Sequence, residues 1–258
     1  MNTKRSLTRI YRMELKSEFL KMFRMPAYVI PTLAFPLVFY LFFGIAFGGS
    51  KKVGESTTMA AYLIATYGAF GVIGASLFGF GVGVAIERGQ GWLQVKRASP
   101  MPVAAWFAAK IGMALLFSAI IVLALFALGN TLGGVDFAWS VWPRLFAILV
   151  LGALPFCAMG LMLGYFAGPN SAPAIVNLIY LPMAFASGLW IPVQMLPKFM
   201  QAIAPALPPY HFAQLALQQI GAAKGPALPH VLALVAFTIA FLGLATIGYR
   251  RDEGKLYG

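Results

Sequence analysis

Five long stretches without a single charged side chain, residues 25–50, 56–86, 111–135, 145–197 and 225–249, set the terms on which this sequence can fold. An α-helix needs about 20 apolar residues to cross roughly 30 Å of hydrocarbon, so each stretch is long enough to span a bilayer. The fourth is long enough for two helices, and Gly168-Pro169-Asn170-Ser171 divides it with a proline that cannot continue a helix. Six transmembrane helices are therefore expected, over about 28–48, 59–86, 103–128, 145–167, 172–190 and 228–249. A soluble fold is excluded on composition: 60% of the residues are hydrophobic and 10% charged, against roughly 25% charged in soluble domains. A barrel is disfavoured because the apolar runs are continuous and do not alternate. The expected fold class is an all-α membrane protein, a single transmembrane domain over residues 1–258.

The formal charge of +12 is distributed between these stretches and orients them. Lys4, Arg5, Arg9, Arg12, Lys16, Lys21, Arg24, Arg88, Lys96, Arg97, Arg250, Arg251 and Lys255 fall on one face of a six-span arrangement. Lys51, Lys52, Arg144, Lys198 and Lys224 fall on the other, and Lys110 lies near the inner end of the third span. The positive-inside rule then puts both termini in the cytoplasm. Basic residues grouped between apolar blocks, with the aromatics inside uncharged stretches, do not make a nucleic-acid surface. The first apolar run follows a basic segment and is long enough to span, so a cleavable signal peptide is not expected.

Three segments depart from plain spans and short loops. In Leu7 to Arg24, apolar Leu7, Tyr11, Leu15, Phe19 and Met22 recur at helical spacing against Arg9, Arg12, Lys16 and Lys21. An amphipathic helix on the cytoplasmic membrane surface, over 7–24, fits this pattern; a simple basic anchor is the plainer alternative. The loop over 87–101 sets Trp92, Leu93 and Val95 among charges, which suits either a docked short helix or a solvated loop. Between 191 and 224, Pro192, Pro197, Pro205, Pro208 and Pro209 interrupt apolar residues such as Met195, Leu196, Phe199, Met200 and Ile203. Short broken helices dipping into the outer leaflet are expected there, because such backbone is tolerated at membrane depth only against protein or a watery cavity.

Within the second span Gly71, Ala75, Gly79 and Gly83 recur every four residues. Such a seam lets another helix approach closely; it serves packing, or a sliding surface during transport.

Catalytic chemistry has little to build on. The Gly-Lys pair Gly254-Lys255 is followed by Leu256, so there is no phosphate-cradling G-x-x-x-x-G-K-[ST], and there is no H-E-x-x-H. His211 and His230 stand apart in sequence and are expected to be separate interfacial polar residues, and Cys157 is the one cysteine. No catalytic residue, metal site or cofactor is expected in this chain. Glu14, Glu18, Glu55, Glu87, Asp136, Asp252 and Glu253 all fall outside the spans or at a span end, which disfavours an ion-coupled carrier or channel, the main alternative. Lys110 is expected to snorkel to the cytoplasmic interface and Arg144 to pair with Asp136.

Taken in order, Gly188-Leu189-Trp190-Ile191-Pro192, then Met195-Leu196-Pro197, then Pro209-Tyr210, together with Glu87-Arg88, Gly91, Leu93 and Lys96-Arg97-Ala98-Ser99-Pro100, resemble the permease subunits of bacterial type-2 ATP-binding-cassette exporters over nearly the whole chain. Gly89 stands where that family often has a second acidic residue. The resemblance implies a non-catalytic membrane subunit in the bacterial inner membrane, moving an amphiphile such as a drug-like molecule, lipid or lipid-linked glycan outward. It implies a partner ATPase in two copies that holds ATP and Mg, and a second permease copy, most simply forming a homodimer, in a lipid environment. Contacts to the ATPase are expected at Glu14, Leu15, Phe19 and Arg24, and at Glu87, Arg88, Leu93 and Arg97 of the coupling loop. The passage is expected along spans two and five, by Tyr67, Phe70, Phe185 and Trp190, with Pro192, Leu196, Pro197 and Pro209 shaping the outer re-entrant segment.

Overall fold

The structure is a computed structural model that describes residues 3–48, 51–53, 57–92, 95, 98 and 101–254. Among these residues the fold is almost wholly helical. Helix α1 (Thr3–Phe23) is followed by α2 (Pro26–Phe39), which runs on as a π-helical stretch over Tyr40–Ala46. A two-residue antiparallel ladder, Lys52 opposite Thr58 and Val53 opposite Thr57, leads into the long helix α3 (Met59–Gly89). Thr58 begins α3 by accepting the Ala61 N–H on its hydroxyl at 3.2 Å, which satisfies one of the donors left open at a helix start.

Next come α4 (Val103–Thr131) and α5 (Val141–Phe166), with a break at Gly152. They are followed by α6 (Ala172–Ala186), a 3₁₀ turn at Val193–Met195, α7 (Lys198–Ile203), a second at Ala204–Ala206, α8 (Pro208–Gln219) and α9 (Leu228–Gly254).

Among the described residues five helices are long and apolar enough to cross a membrane: those at Tyr28–Ala46, Met59–Gly89, Val103–Thr131, Val141–Phe166 and Leu228–Arg251. The chain is a multi-pass membrane protein. The sixth expected span is shorter than its uncharged interval suggested. Helix α6 has 15 residues, about 22 Å at 1.5 Å per residue, and ends where Gly188 takes φ +79° in the left-handed region.

Helix α3 is the axis of the fold. Of its apolar window 89% is buried, against 17% for α2 and for α9. A helix apolar all round belongs in the interior, whereas α2 and α9 turn wide apolar faces outward, as lipid-facing helices do. Residues of α3, α4, α5, α6 and α8 form one continuous core, including Tyr67, Phe117, Leu149, Phe156, Tyr180 and Phe212.

The middle of α3, Ala75–Val82, is a π-helix. Here the backbone of Gly81 lies directly on that of Gly160 in α5: a Cβ on Gly81 would sit 2.8 Å from the Gly160 carbonyl oxygen and 2.9 Å from its Cα. Gly164, four residues on, meets the Gly81 carbonyl in the same way. The seam read from the sequence faces elsewhere. Gly71 meets Ile121 and Pro36, Gly79 meets Tyr28 and Met113, and Gly83 meets Met22 and Lys110, so this face takes side chains from α1, α2 and α4.

Beyond α6 the proline-rich segment folds back on the bundle. Pro197 and the Pro208-Pro209 pair sit at helix starts, where their missing N–H costs nothing. Pro192, Leu196 and Pro209 are buried, and Pro197 is exposed. Phe212 of α8 fills the space opened by Gly152 and lies against Phe156 with ring centroids 5.6 Å apart, which anchors α8 at the break in α5.

Candidate functional site

Two features converge at the α1 end of α3: a buried cluster of charges and the mouth of a long cleft.

The cluster gathers Glu18 and Lys21 of α1, Glu87 of α3, and Lys110 and Trp106 of α4. Glu18, Glu87 and Lys110 are 3%, 5% and 0% exposed. The Lys110 ammonium donates to Glu87 Oε1 at 3.0 Å and to Glu18 Oε2 at 3.1 Å. Lys21 reaches Glu18 at 3.4 Å and also pairs with Glu87, while the Trp106 indole N–H donates to Glu87 Oε2 at 3.1 Å. Two anions and two cations neutralise each other, which is the condition under which such groups leave water.

Burial pulls the Lys21 pKa down, but the Glu87 and Glu18 carboxylates beside it outweigh that effect and hold it above the ordinary value of 10.5. The cluster ties three helices together. Apolar contacts reinforce the joint: Phe19 lies on Phe117 at 5.7 Å, and Leu15 fills the hollow over Gly112. Next to it, Arg88 donates to the carbonyls of Tyr165 and Ala167, the second at 2.7 Å, and so caps the end of α5.

The cleft has a volume of about 1310 Å³, more than the roughly 300–1,000 Å³ of a pocket for a drug-sized ligand. Helix α3 and the residue that follows it are its floor, from Phe70 to Gln90, a length of about 30 Å at 1.5 Å per residue. One wall is α2, with Tyr28, Thr32, Phe35 and Phe39; the other is α6, with Pro173, Asn177, Tyr180 and Leu181. Glu18, Lys21, Glu87 and Gln90 make one end polar, and Phe39, Phe70 and Trp190 make the far end aromatic.

Both walls are fastened to the floor by tyrosines. Tyr28 donates its hydroxyl to the Ala75 carbonyl at 3.2 Å, and Tyr180 to the Phe70 carbonyl at 2.6 Å. The Ala75 carbonyl lies at the start of the π-helical stretch, where the regular backbone pattern changes, and the Phe70 carbonyl lies in the regular helix just before it. Phe70 stacks on Tyr180 with centroids 5.0 Å apart, and Trp190 packs against Phe39, Phe70 and Phe185.

Comparison with known proteins decides the family. Residues 11–221 match the model of the family described as ABC-2 type transporter. The chain belongs to the ABC-2 type transporter family. This ABC-2 chain is also 26% identical over 237 residues to a Bacillus subtilis (strain 168) protein named "Putative transport permease YvfS", covering 92% of this chain and 96% of that protein. It is thus a membrane permease subunit of an ABC transporter, a transport component whose family implies a partner ATP-binding subunit.

Within this ABC-2 chain the expected contact residues divide. Leu15 and Phe19 pack inward on α4, Glu87 is locked in the charged cluster, Arg88 caps α5, Glu14 is half-buried and Arg24 is exposed. Leu93 and Arg97 lie outside the described residues; Trp92 and Val95 of the same loop are 53% and 61% exposed. A charge reversal at Glu87 or Arg88 would disrupt these internal contacts before any docking surface. Of the expected passage residues, Phe70 and Trp190 line the cleft, Tyr67 is buried beside Phe39, and Phe185 sits behind Trp190.

Three expectations are corrected. Lys110 does not snorkel, because two carboxylates hold it inside. Arg144 bonds the Ser140 carbonyl and hydroxyl at 2.7 and 3.2 Å in place of Asp136. The two histidines are not separate, since His211 Nδ1 and His230 Nδ1 are 3.0 Å apart.

The cluster, the wall tyrosines and the Gly81–Gly160–Gly164 contact were not found from sequence. For the last, the signal was present as Gly160-x-x-x-Gly164 in the fourth span. For the cluster, the cue was a lysine in an otherwise apolar helix and a glutamate at the end of another, each in need of a partner.

Proposed function

We propose that this chain is the passage-forming subunit of a bacterial exporter that moves an amphiphile across the inner membrane with energy from a separate ATPase. The observation that carries this reading is the cleft along α3, with its polar end among α1, Glu87 and Gln90 and its aromatic end at Trp190. A cleft about as long as the hydrocarbon is thick, polar at one end and apolar along its length, suits a molecule with a head and a long apolar part. A drug-like amphiphile, a lipid or a lipid-linked glycan fits that description.

In this reading α1 lies along the cytoplasmic surface, both termini are cytoplasmic, and α6 with the turn after it completes a sixth crossing. Two permease copies form the pathway, and two ATPase subunits bind below, near α1 and the exposed Trp92 and Val95. ATP and Mg are held by the ATPase. Closure of the ATPase pair moves α1 and the end of α3 as one piece, because the charged cluster joins them. Lys21 of α1 and Asn177 of α6, both lining the cleft, then change their separation.

An ion-coupled carrier would need a titratable group free to load and unload at mid-depth. The charges lining this cleft are paired with one another, which favours the ATP-driven reading.

The test is reconstitution of the chain with the ATPase encoded beside its gene, in sealed vesicles. Movement of a fluorescent amphiphile should require both subunits and hydrolysable ATP, and the same amphiphile should stimulate hydrolysis. Transport by the permease alone, driven by an ion gradient, would sink the proposal.

A further inference from the structure

The face away from α1 carries the protein's two histidines, and they touch. His211 is in the first turn of α8, and His230 is in the first turn of α9. The His211 and His230 Nδ1 atoms are 3.0 Å apart, and His211 Nε2 is 2.9 Å from the Pro205 carbonyl oxygen.

A carbonyl only accepts, so His211 must carry its hydrogen on Nε2, which leaves Nδ1 as a lone pair. The facing Nδ1 of His230 must then donate. The result is one directed relay, from His230 N–H to His211, and from His211 N–H to Pro205. It joins α9, α8 and the 3₁₀ turn at Ala204–Ala206.

The geometry separates a shared proton from a shared metal ion. The ring centroids are 5.3 Å apart, close to the separation of two imidazoles joined nose to nose across a 3.0 Å contact. Two metal–nitrogen bonds of about 2.0–2.1 Å meeting at a right angle would turn both lone pairs to a third point and draw the rings closer. Among the described residues no group of three or more His, Cys, Asp and Glu gathers to complete a metal shell.

We propose that His211 and His230 form a proton-operated latch, which ties the broken segment to the last span at neutral pH and releases it in acid. One added proton still leaves a donor facing an acceptor. Two protons put an N–H and a positive charge on both facing nitrogens, and the relay breaks. Release therefore requires both rings to be charged and falls on the acid side of an ordinary histidine.

The surroundings support this. Tyr210 lies 5.5 Å from the His211 ring and 6.1 Å from the His230 ring, and Phe237 of α9 lies 6.3 Å from His211. Of the helices packed against α8, α3 brings the Tyr62 hydroxyl, which donates to the Gly188 carbonyl, and α5 brings Arg144, engaged by Ser140. Lys224, in the loop joining α8 to α9, is exposed. Burial holds the His211 pKa below 6.5 against the opposing pull of the Pro205 carbonyl. Both rings are half-buried, so solvent protons reach them. The start of α8 sits beside α3, and the cleft's aromatic end lies at Trp190, which precedes the broken segment. That the latch senses the exterior rests on the orientation given under Proposed function.

The sequence has two histidines, so a full-length chain with a histidine-free purification tag shows only these two imidazoles in a histidine-selective NMR titration. The expected result is two coupled steps more than about one pH unit apart, the second to the acid side of 6.5. Amide exchange over 208–219, corrected for intrinsic pH dependence, should accelerate with the second step. In His230→Gln, or in His211→Asn if the first variant misfolds, the remaining ring should titrate once without acid-linked acceleration. A single joint step near 6.5 in the wild type overturns the latch, as does equal acceleration in wild type and variant. In sealed vesicles, acid on the side opposite α1 should drive the change; a response to acid on the α1 side would overturn the orientation and leave the latch standing.

Discussion

At the scale of single residues the cluster around Lys110 makes the sharpest demands. Its ammonium has no route to water and two carboxylates in reach, so its removal leaves buried negative charge without a counterion. Lys110→Met should cost about 3–5 kcal/mol, read as a lower unfolding midpoint in detergent. Adding Glu87→Gln, which restores neutrality, should recover a substantial part. A Lys110→Met protein as stable as the wild type would mean the cluster does not hold the helices.

Lys21 gives a pH signature. Its folded pKa is raised, so its stabilisation is fully present below 10.5 and lost as pH rises through the folded value. The wild type should lose stability above pH 10.5 to a degree that Lys21→Met does not. With the Lys21 side chain 39% exposed, the difference should stay under about 1 kcal/mol. None of this was legible in the sequence beyond the charges themselves, because Glu18, Glu87 and Lys110 are far apart in the chain and meet only through packing.

Among the helices, the close contact of α3 and α5 sets another limit. Gly81→Ala directs a methyl at the Gly160 backbone, which cannot turn aside as a side chain would. The helices must separate, at a cost of about 1–3 kcal/mol, while Gly83→Ala meets only the ends of side chains, the Met22 methyl at 3.2 Å and the Lys110 ammonium at an ordinary contact distance of 3.6 Å. Thermal unfolding of the two variants should rank Gly81→Ala well below Gly83→Ala; equal midpoints would remove the significance of the contact.

The helical membrane class was legible from the uncharged intervals because hydrocarbon imposes length and polarity limits that no tertiary contact overrides. The extent of α6 was not, since its end depends on a left-handed turn at Gly188 inside a stretch that stays apolar. The choice between the Gly71–Gly83 face and Gly81 was also beyond the pattern, because both offer small residues and only the partner helices distinguish them.

For the whole molecule, the ABC-2 family makes the chain a membrane permease subunit, and the cleft along α3 is the feature on which its proposed function rests. The sequence made this legible through the Pro192, Leu196-Pro197 and Pro209-Tyr210 series and the Glu87-Arg88 loop. Of the residues that line the cleft, Phe70 and Trp190 were singled out by the sequence and Tyr28, Asn177 and Tyr180 were not.

If the cluster carries motion from the ATPase into the cleft, residues that line the cleft must change exposure with nucleotide. Asn177→Cys places one accessible thiol there, because the natural Cys157 is buried. In vesicles with the partner ATPase, the rate of thiol labelling at position 177 should change several-fold when ATP binds and return after hydrolysis. An unchanged rate in every nucleotide state, while the same complex hydrolyses ATP and moves its cargo, would contradict a nucleotide-driven cleft.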